Sequence, residues 1–397
     1  MKSGSRDKLL YRILLWVGLI VSSWLLFQRS ISVLTSPEVL KTDDYVEYWS
    51  AGRLNLLGGN PYDPAQLTPL QLATGRAEGV PVMMWNPPWT LAIAMPLSWL
   101  DYPVSRFLWL LLNLGIIFFV ADWGWRVYGG APGNRWVAWL VAFTFGPCLH
   151  VLKTGQIAPL LLLGVVGFLY FARQERWGVA GAMAALITIK PHLLYLFGLA
   201  LLFWALEHRR WRLLLGFAAA IILAMGSAWA INPALVSQYL YALAHYPPAE
   251  WATSTFGAVL RIRFGIENFW LQFLPSVLGC LWFVFYWQRH RERWDWREQL
   301  PILVLVSVVT AAYGWTFDYP VFLLAIVQSA VWLLQGRWTW SKRGLLWAYI
   351  GLMLVSLFSS QSQLWYWWMA SWLLLWYWLV RRIALHEGIE DSFSRGF

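Results

Sequence analysis

The chain has 397 residues, of which 59% are hydrophobic and only 13% are charged. Soluble globular domains carry about 25% charged residues, so this composition excludes a water-soluble enzyme with one ordinary core, and it excludes a disordered or fibrous chain. It is typical of a polytopic helical membrane protein, in which each span needs about 20 apolar residues. The 32 tryptophans agree with this class, because indole rings concentrate near the lipid headgroups.

The chain is basic, with a net charge of +10. In a soluble protein this charge would suggest a nucleic-acid partner, but basic residues also crowd the cytoplasmic loops of membrane proteins. The sequence has no basic segment interleaved with aromatic residues outside its apolar runs, so no nucleic-acid partner is predicted. Cys148 and Cys280 both lie in apolar stretches and are predicted to be membrane-buried rather than a disulfide or metal pair.

Apolar runs predict a single integral membrane domain, 1–397, with about twelve transmembrane helices. The first span lies within 1–27; it lacks the small-residue cleavage site of a signal peptide, so an uncleaved span is predicted. Spans 2–7 fall within 104–231, and the C-terminal spans within 269–397. The predicted apolar segments are 9–27, 104–122, 136–150, 157–172, 177–189, 191–206, 212–231, 269–288, 300–312, 319–335, 344–358 and 363–380.

A further apolar segment, 88–100, is short and contains Pro96, so it is predicted to be re-entrant or interfacial rather than spanning. With both termini in the cytoplasm, this assignment places every short basic loop on the cytoplasmic side, as the positive-inside rule requires. In the alternative, 88–100 spans the membrane. The basic cluster at 209–212 then stays inside only if 177–206 is one long helix kinked at Pro191.

Two long segments are predicted to be external loops that carry helices on the membrane surface. The first loop, 28–103, contains an amphipathic stretch at 43–57 that Gly58 and Gly59 would end. The second loop, 232–268, contains an amphipathic stretch at 234–245.

Carboxylates cluster where the first of these helices begins. Asp43 and Asp44 are adjacent, and at helical spacing Asp44, Glu47 and Tyr48 share one face. One aspartate is expected to cap the helix, because carboxylates favour its positive end. Three carboxylates exceed what capping needs, so this face is a candidate site.

Cationic side chains lie in two places on the same predicted outer side. Lys190 and His192 lie between two apolar runs, where an ionisable residue is costly and either lines a wet cavity or forms a buried ion pair. Arg261 and Arg263 follow a Ser/Thr-rich stretch in the second loop and form either a diffuse basic loop or a phosphate clamp.

Three further residues are candidates on this side. Gln156 opens the fourth span after Gly155, where a turn is the ordinary explanation. Trp315 and Asp318 lie between two short apolar runs, where Asp318 is either a helix cap or a site residue.

One chemistry fits this set of carboxylates, cations and tryptophans. A sugar donor carried on a lipid phosphate presents a phosphodiester at the interface, where Arg and Lys can hold it. A carboxylate then deprotonates an acceptor hydroxyl for in-line attack on the anomeric carbon.

The motifs themselves resemble a known family. DYVEYWSA at 44–51, followed by GGNPYD at 58–63, resembles the pattern D-[FY]-x-x-Y-x-x-A…G-x-x-P-Y-D of glycosyltransferase family 87, of the GT-C superfold. This family includes the polyprenyl-phosphate-mannose-dependent mannosyltransferases of actinobacteria. Further motifs follow in the family's order up to about residue 320: Asn86-Pro87-Pro88 with Pro96-Leu97, Gly155-Gln156, Ala180-Gly181, Lys190-Pro191-His192 and Trp315-x-x-Asp318.

The resemblance implies an all-α GT-C fold and a metal-independent, inverting transfer of a sugar from a polyprenyl-phosphate donor to a lipid or glycan acceptor. No cofactor is expected, and the implied setting is the extracytoplasmic face of a bacterial plasma membrane. The resemblance implies Asp44 as the catalytic base and suggests Lys190 near the donor phosphate. The chain has Asp318 where the family's mannosyltransferases tend to carry His, and Asn86 where the family has Tyr.

The sequence therefore predicts one catalytic residue and two groups around it. Asp44 is the predicted catalytic base. The predicted donor-phosphate residues are Lys190, His192, Arg261 and Arg263. The predicted cavity residues are Asp43, Glu47, Tyr48, Gln156, Trp315 and Asp318, and no metal ligands are predicted.

Two other functions are considered beside the transferase. A transporter or flippase for a lipid-linked sugar would usually show pseudo-symmetric repeats and polar residues near the midplane. The sequence shows no obvious repeat, and its polar candidates cluster on one side. A scaffold subunit of an envelope complex would not need Asp44, Lys190 and Asp318 near the outer surface.

Overall fold

The computed structural model describes residues 3–77, 79–246, 251–335, 338–358 and 362–387. These residues form helices joined by turns, with no β-strand among them, which confirms the predicted all-α class. The first helices are α1 Ser3–Leu34, α2 Pro37–Leu40, α3 Tyr45–Leu56, α4 Pro64–Leu72, α5 Leu91–Ser98, α6 Tyr102–Val127, α7 Arg135–Thr144, α8 Gly146–Thr154, α9 Ala158–Ala172 and α10 Trp177–Ala184. The later helices are α11 Tyr195–Glu207, α12 Trp211–Ile231, α13 Leu235–His245, α14 Phe256–Phe264, α15 Leu274–His290, α16 Trp296–Val309, α17 Leu323–Leu334, α18 Trp340–Phe358 and α19 Met369–His386. Short 3₁₀ helices lie at Pro88–Thr90, Pro132–Asn134, Ala185–Ile189, Phe269–Gln272, Arg291–Arg293, Thr316–Phe322 and Gln363–Trp368.

Four helices in the described part of the chain are long and apolar enough to cross a membrane, which indicates a membrane protein. The first is Trp16–Leu34, which is part of α1, and the second and third are α6 and α12. The fourth is Thr316–Leu334, which includes α17. A fifth results if α7 and α8, which meet at 57°, are taken as one broken span. The predicted number of twelve is not confirmed. The other predicted apolar segments also lie on helices, but α9 and α11 have only 15 and 13 residues, fewer than the roughly 20 of a full span.

The helix α3 is not the surface helix that its amphipathic pattern predicts. Ten of its twelve residues are buried, because the protein surrounds it. Its polar side chains find partners inside: Asn55 Nδ2 donates to the backbone oxygen of Ala228 at 3.3 Å. Gly58, with φ of +72°, ends the helix as predicted, and the next N–H donates to Leu54 O at 2.8 Å.

The segment 88–100, predicted to be re-entrant or interfacial, forms a 3₁₀ turn followed by α5, which has eight residues. Eight residues extend about 12 Å, too short to cross a bilayer. The alternative of one long helix over 177–206 is also wrong, because the chain leaves helical geometry at Lys190, between Ala185–Ile189 and α11.

The second predicted amphipathic stretch forms α13, of which only Leu235 and Ala242 are buried. The predicted topology also places Lys2, Arg337 and Arg395 in the cytoplasm, but these three lie outside the described residues.

The buried helix α9 lies at the centre of the fold and packs against α6 and α10. Next to it, α10 and α12 are in close contact through glycines. A Cβ at Gly181 would lie 2.0 Å from Leu213 O, and a Cβ at Gly216 would lie 2.0 Å from Gly178 O. This tight packing supports the turn that follows α10 and carries Lys190.

Candidate active site

A cavity of about 980 Å³ lies where α3, the turn after Ala185–Ile189, α13 and the segment before Thr316–Phe322 meet. Six of the predicted site residues line it: Asp44, Glu47, Gln156, Lys190, His192 and Trp315. Its other polar lining comes from Arg76 and Asn86, and its aromatic lining from Trp85, Tyr239, Tyr246, Trp251, Tyr313 and Phe317. The fold thus brings together residues that are more than 270 positions apart in the sequence.

Asp44 is held in the cavity wall by the turn that follows α8. Its backbone N–H donates to Thr154 O at 2.7 Å, and its Oδ2 accepts from Gln156 Nε2 at 3.0 Å. Gly155, between these two partners, has φ of +72°, and a Cβ there would lie 2.7 Å from the Tyr45 Cβ. The Gly-Gln pair therefore allows the chain to approach the carboxylate closely.

Burial raises the pKa of Asp44 to about 6, while the hydrogen bond from Gln156 acts in the opposite direction and the nearby Asp43 raises it further. Asp44 is therefore mostly ionised at neutral pH. A carboxylate with a pKa near the working pH is well suited to accept a proton from a hydroxyl.

Asp43 faces away from the cavity, contrary to its predicted place in it. Its Oδ1 accepts from Tyr45 N, the first N–H of α3, at 3.2 Å, and it also pairs with Arg106 Nε at 3.0 Å. The Tyr102 hydroxyl donates to its second oxygen. Asp43 and Arg106 are both fully buried, so their ion pair is part of the support behind Asp44.

Glu47 lines the cavity, while Tyr48 lies behind it and donates its hydroxyl to Gln156 Oε1 at 2.8 Å. Burial, with a smaller contribution from the charge of Asp44, raises the pKa of Glu47 to about 8. The two cavity carboxylates on one helix face are therefore held in different states at neutral pH, Asp44 ionised and Glu47 protonated.

The raised pKa of Glu47 predicts how stability depends on pH. Between its unfolded value near 4.5 and its folded value of about 8, the folded protein binds the extra proton, so stability falls as pH rises through this range. We expect Glu47→Gln to remove this loss. The melting temperature of the variant should match that of wild type near pH 4.5 and exceed it increasingly towards pH 8. At pH 8 the variant should be more stable by a free energy of unfolding on the order of a few kcal/mol.

Thermal melts across this pH range, in parallel with the exposed Glu38→Gln as a control for the lost acidic group, measure this difference. A constant difference between Glu47→Gln and wild type at all pH values would show that Glu47 is charged in the folded protein.

The sequence left open whether Lys190 lines a cavity or forms a buried ion pair, and in the structure it forms an ion pair. Its Nζ lies 2.6 Å from Asp318 Oδ1, and Asp318 Oδ2 also accepts from Trp315 N at 3.0 Å. The ammonium group lies 5.1 Å from the centre of the Phe317 ring, a cation–π distance. Lys190 nevertheless lines the cavity, whereas Asp318 is fully buried behind it.

The remaining predicted cations are divided between the cavity and other positions. His192 lines the cavity, and its Nε2 has no hydrogen-bond partner among the described residues. Arg261 is fully buried, where its Nη2 donates to Trp251 O at 3.3 Å, and Arg263 is exposed. Neither arginine lines the cavity, so the structure does not bring the predicted phosphate clamp to Lys190.

Comparison with known families agrees with the resemblance in the sequence. Residues 85–264 match the model of glycosyltransferase family 87. The matched segment is 180 of the 397 residues, and the enzymes of a glycosyltransferase family use a donor and an acceptor substrate. No curated protein and no solved structure matches the chain.

The family-87 segment contains Asn86, Gln156, Lys190 and His192, all of which line the cavity. Asp44 and Asp318 lie outside this segment, but Asp44 is bonded to Gln156 and Asp318 to Lys190. Residues of the segment that matches family 87 therefore form the cavity together with residues outside it.

Two polar cavity residues, Arg76 and Asn86, were not predicted from the sequence as site residues. Arg76 lines the cavity, and its Nη1 donates to Leu40 O and Asp43 O, both at 3.3 Å. It lies alone in a polar loop, so no spacing or apolar context distinguished it from other basic loop residues. Asn86 Nδ2 donates to Ile189 O at 3.0 Å and so connects the first loop to the Lys190 turn.

No group of three or more His, Cys, Asp or Glu side chains in the described part of the chain is arranged to hold a metal ion.

Proposed function

We propose that this chain transfers a sugar, mannose or another hexose, from a polyprenyl-phosphate donor to a lipid or glycan acceptor, with Asp44 as the general base. The observation that carries this proposal is an ionisable carboxylate in the wall of a large cavity, held by Gln156 and facing a cation-bearing turn. The family-87 match supports glycosyl transfer, and the motif resemblance supports the lipid-phosphate donor.

In this reaction Asp44 accepts the proton of the acceptor hydroxyl as the hydroxyl oxygen attacks the anomeric carbon of the donor sugar. The bond between the anomeric carbon and the phosphate oxygen breaks, and polyprenyl phosphate leaves with the bonding electrons. Attack opposite the leaving group inverts the anomeric configuration. No redox step is involved, and the proton ends on Asp44 before it is released to solvent.

The leaving phosphate needs positive charge, which Lys190 can supply with Arg76. Burial lowers the pKa of His192 to about 4, so its neutral ring can offer only a hydrogen bond. An ammonium group has three N–H donors, of which Asp318 and Gln156 occupy two, the second at 3.3 Å. A third donor remains for a phosphate oxygen in the cavity. The ion pair with Asp318 fixes the position of the Lys190 ammonium group. Arg261 and Arg263 are not included in this proposal, because neither lines the cavity.

Aromatic rings also line the cavity, and sugar rings commonly stack on such rings. The Trp251 ring lies 5.0 Å from that of Trp315 and 6.0 Å from that of Trp85. These two contacts are edge-on, so the rings present faces in different directions. Such a surface suits a sugar and the first isoprenoid units of the donor.

The proposed cell location is the bacterial plasma membrane, with the cavity on the extracytoplasmic side and both termini in the cytoplasm. A single cysteine at Ala65, an exposed residue of α4, should therefore react with a membrane-impermeant maleimide in intact cells. A cysteine at Glu292, between α15 and α16, should react only after the membrane is permeabilised. Both would be made in a Cys280→Ser background, because the native Cys280 is exposed. The reverse labelling pattern would contradict this orientation.

Mass spectrometry of lipid-linked glycans tests the proposed function in cells. Cells that lack the gene should accumulate an acceptor one hexose shorter than in cells that carry it, and wild-type protein should restore the longer species. An unchanged glycan profile would contradict the proposal, and the mass lost would identify the sugar class.

A further inference from the structure

The Gln156 amide lies at the meeting point of three functional groups and is itself buried. Its Nε2 donates to Asp44 Oδ2 at 3.0 Å. Its Oε1 accepts from the Tyr48 hydroxyl at 2.8 Å and from Lys190 Nζ at 3.3 Å. Gln156 is therefore the one side chain bonded both to the proposed base and to the proposed phosphate-binding lysine among the described residues.

The chemistry of these neighbours fixes the direction of the amide. An ammonium group has only donors, and an ionised carboxylate has only acceptors. A flipped amide would place its NH₂ against Lys190 and its oxygen against Asp44, with donor facing donor and acceptor facing acceptor. Only the observed orientation satisfies both ends, so Lys190 and Tyr48 together aim the Nε2–H group at Asp44.

We propose that Gln156 is a positioning residue: it orients the Asp44 carboxylate for proton transfer and holds it in a fixed relation to Lys190. This inference rests on the proposed function and adds to it a residue that acts through the base rather than on the substrate. Loss of the Nε2–H donor would remove the largest of the interactions that favour the ionised form of the buried Asp44 carboxylate.

Two substitutions separate this role from simple packing. Gln156→Leu removes all three hydrogen bonds at similar volume. Gln156→Glu keeps the shape and the oxygen that faces Tyr48 and Lys190, but it replaces the donor with an acceptor beside Asp44. Both should shift the acid limb of the pH–rate profile upward, by about one pH unit or more, because the protonated form of Asp44 is favoured.

The assay follows release of polyprenyl phosphate from polyprenyl-phosphate mannose, with a membrane lipid extract as the acceptor source. We expect kcat for both variants to fall about 10–100-fold with little change in the KM for the donor, since misplacement of a catalytic group chiefly affects the chemical step. Gln328→Leu is the matched control. Gln328 is also a buried glutamine, bonded to Arg297 O and to the Tyr377 hydroxyl.

The outcomes distinguish this inference from the proposed function. An acid limb that stays at the wild-type pH in both Gln156 variants overturns the positioning role, whatever their remaining rate. An equal shift in Gln328→Leu also overturns it, because the effect would then come from general loss of packing. If Asp44→Asn is fully active, the proposed function itself fails. If Asp44→Asn is inactive and the Gln156 variants behave as wild type, only this inference fails.

Discussion

Replacement of Asp44 by asparagine is expected to reduce sugar transfer by about 10²–10⁴-fold, because asparagine keeps the shape of the side chain but cannot accept the proton of the acceptor hydroxyl. The oxygen of its amide can still accept the hydrogen bond from Gln156 Nε2, so we expect little loss of stability. In wild type, activity should rise with pH through about 6, the pKa that burial gives Asp44. Steady-state rates from pH 5 to 8, with thermal melts alongside, measure both effects.

Asp63→Asn is a matched control for this experiment. Asp63 caps α4 by accepting from Ala65 N at 2.9 Å, and it does not line the cavity. Asparagine caps a helix about as well as aspartate, so this variant should keep wild-type activity and stability. Wild-type rates in Asp44→Asn would contradict the role of Asp44 as the base.

Asp43→Asn is expected to act on the fold, with a loss of about 3–5 kcal/mol in the free energy of unfolding. The substitution leaves the fully buried guanidinium of Arg106 without its anionic partner. Capping alone would predict a mild effect, because asparagine is also a good cap. The ion pair reverses that expectation, since removal of one partner of a buried pair leaves an uncompensated charge.

The double variant Asp43→Asn with Arg106→Gln tests this explanation. Gln cannot carry the charge, so the double variant should recover part of the stability that Asp43→Asn loses. Arg106 also donates to Leu152 O at 3.1 Å and to Lys153 O at 2.9 Å, so full recovery is not expected. A double variant less stable than the sum of the two single losses would contradict the charge-based explanation.

The features predicted best from the sequence are those that depend only on neighbouring residues. Long apolar runs identified the helical segments, and Gly58 identified the end of α3. Most of the polar cavity residues could be predicted for a related reason: polar side chains such as Lys190 and Gln156 are unusual beside apolar runs, whatever their partners.

Long-range pairing could not be predicted from these local patterns. Lys190 and Asp318 were both candidates, but no pattern indicated that they form an ion pair across 128 positions. The partner of Asp43 is Arg106 in α6, at the start of an apolar run, and no local pattern indicated this pairing either. Arg76 had no distinguishing neighbours at all.

Burial of α3 was missed for a physical reason. Its polar residues suggested a face turned towards water, yet they are satisfied by protein groups, as in the bond from Asn55 to Ala228 O. The number of spans was uncertain for a similar reason. Helices such as α9 are apolar because other helices surround them, and apolarity alone does not separate a buried helix from a lipid-facing one.

The most direct test is the fate of the donor with purified wild-type protein in lipid nanodiscs, with polyprenyl-phosphate mannose and a membrane lipid extract as acceptor source. Mass spectrometry should show free polyprenyl phosphate and an acceptor that has gained one hexose, in equal amounts, with no such products from Asp44→Asn. If the donor stays intact in the nanodiscs, and the same protein in liposomes moves it from one leaflet to the other, the result would instead support a flippase. Hexose taken from a nucleotide sugar, with the polyprenyl-phosphate donor untouched, would contradict the proposed donor class.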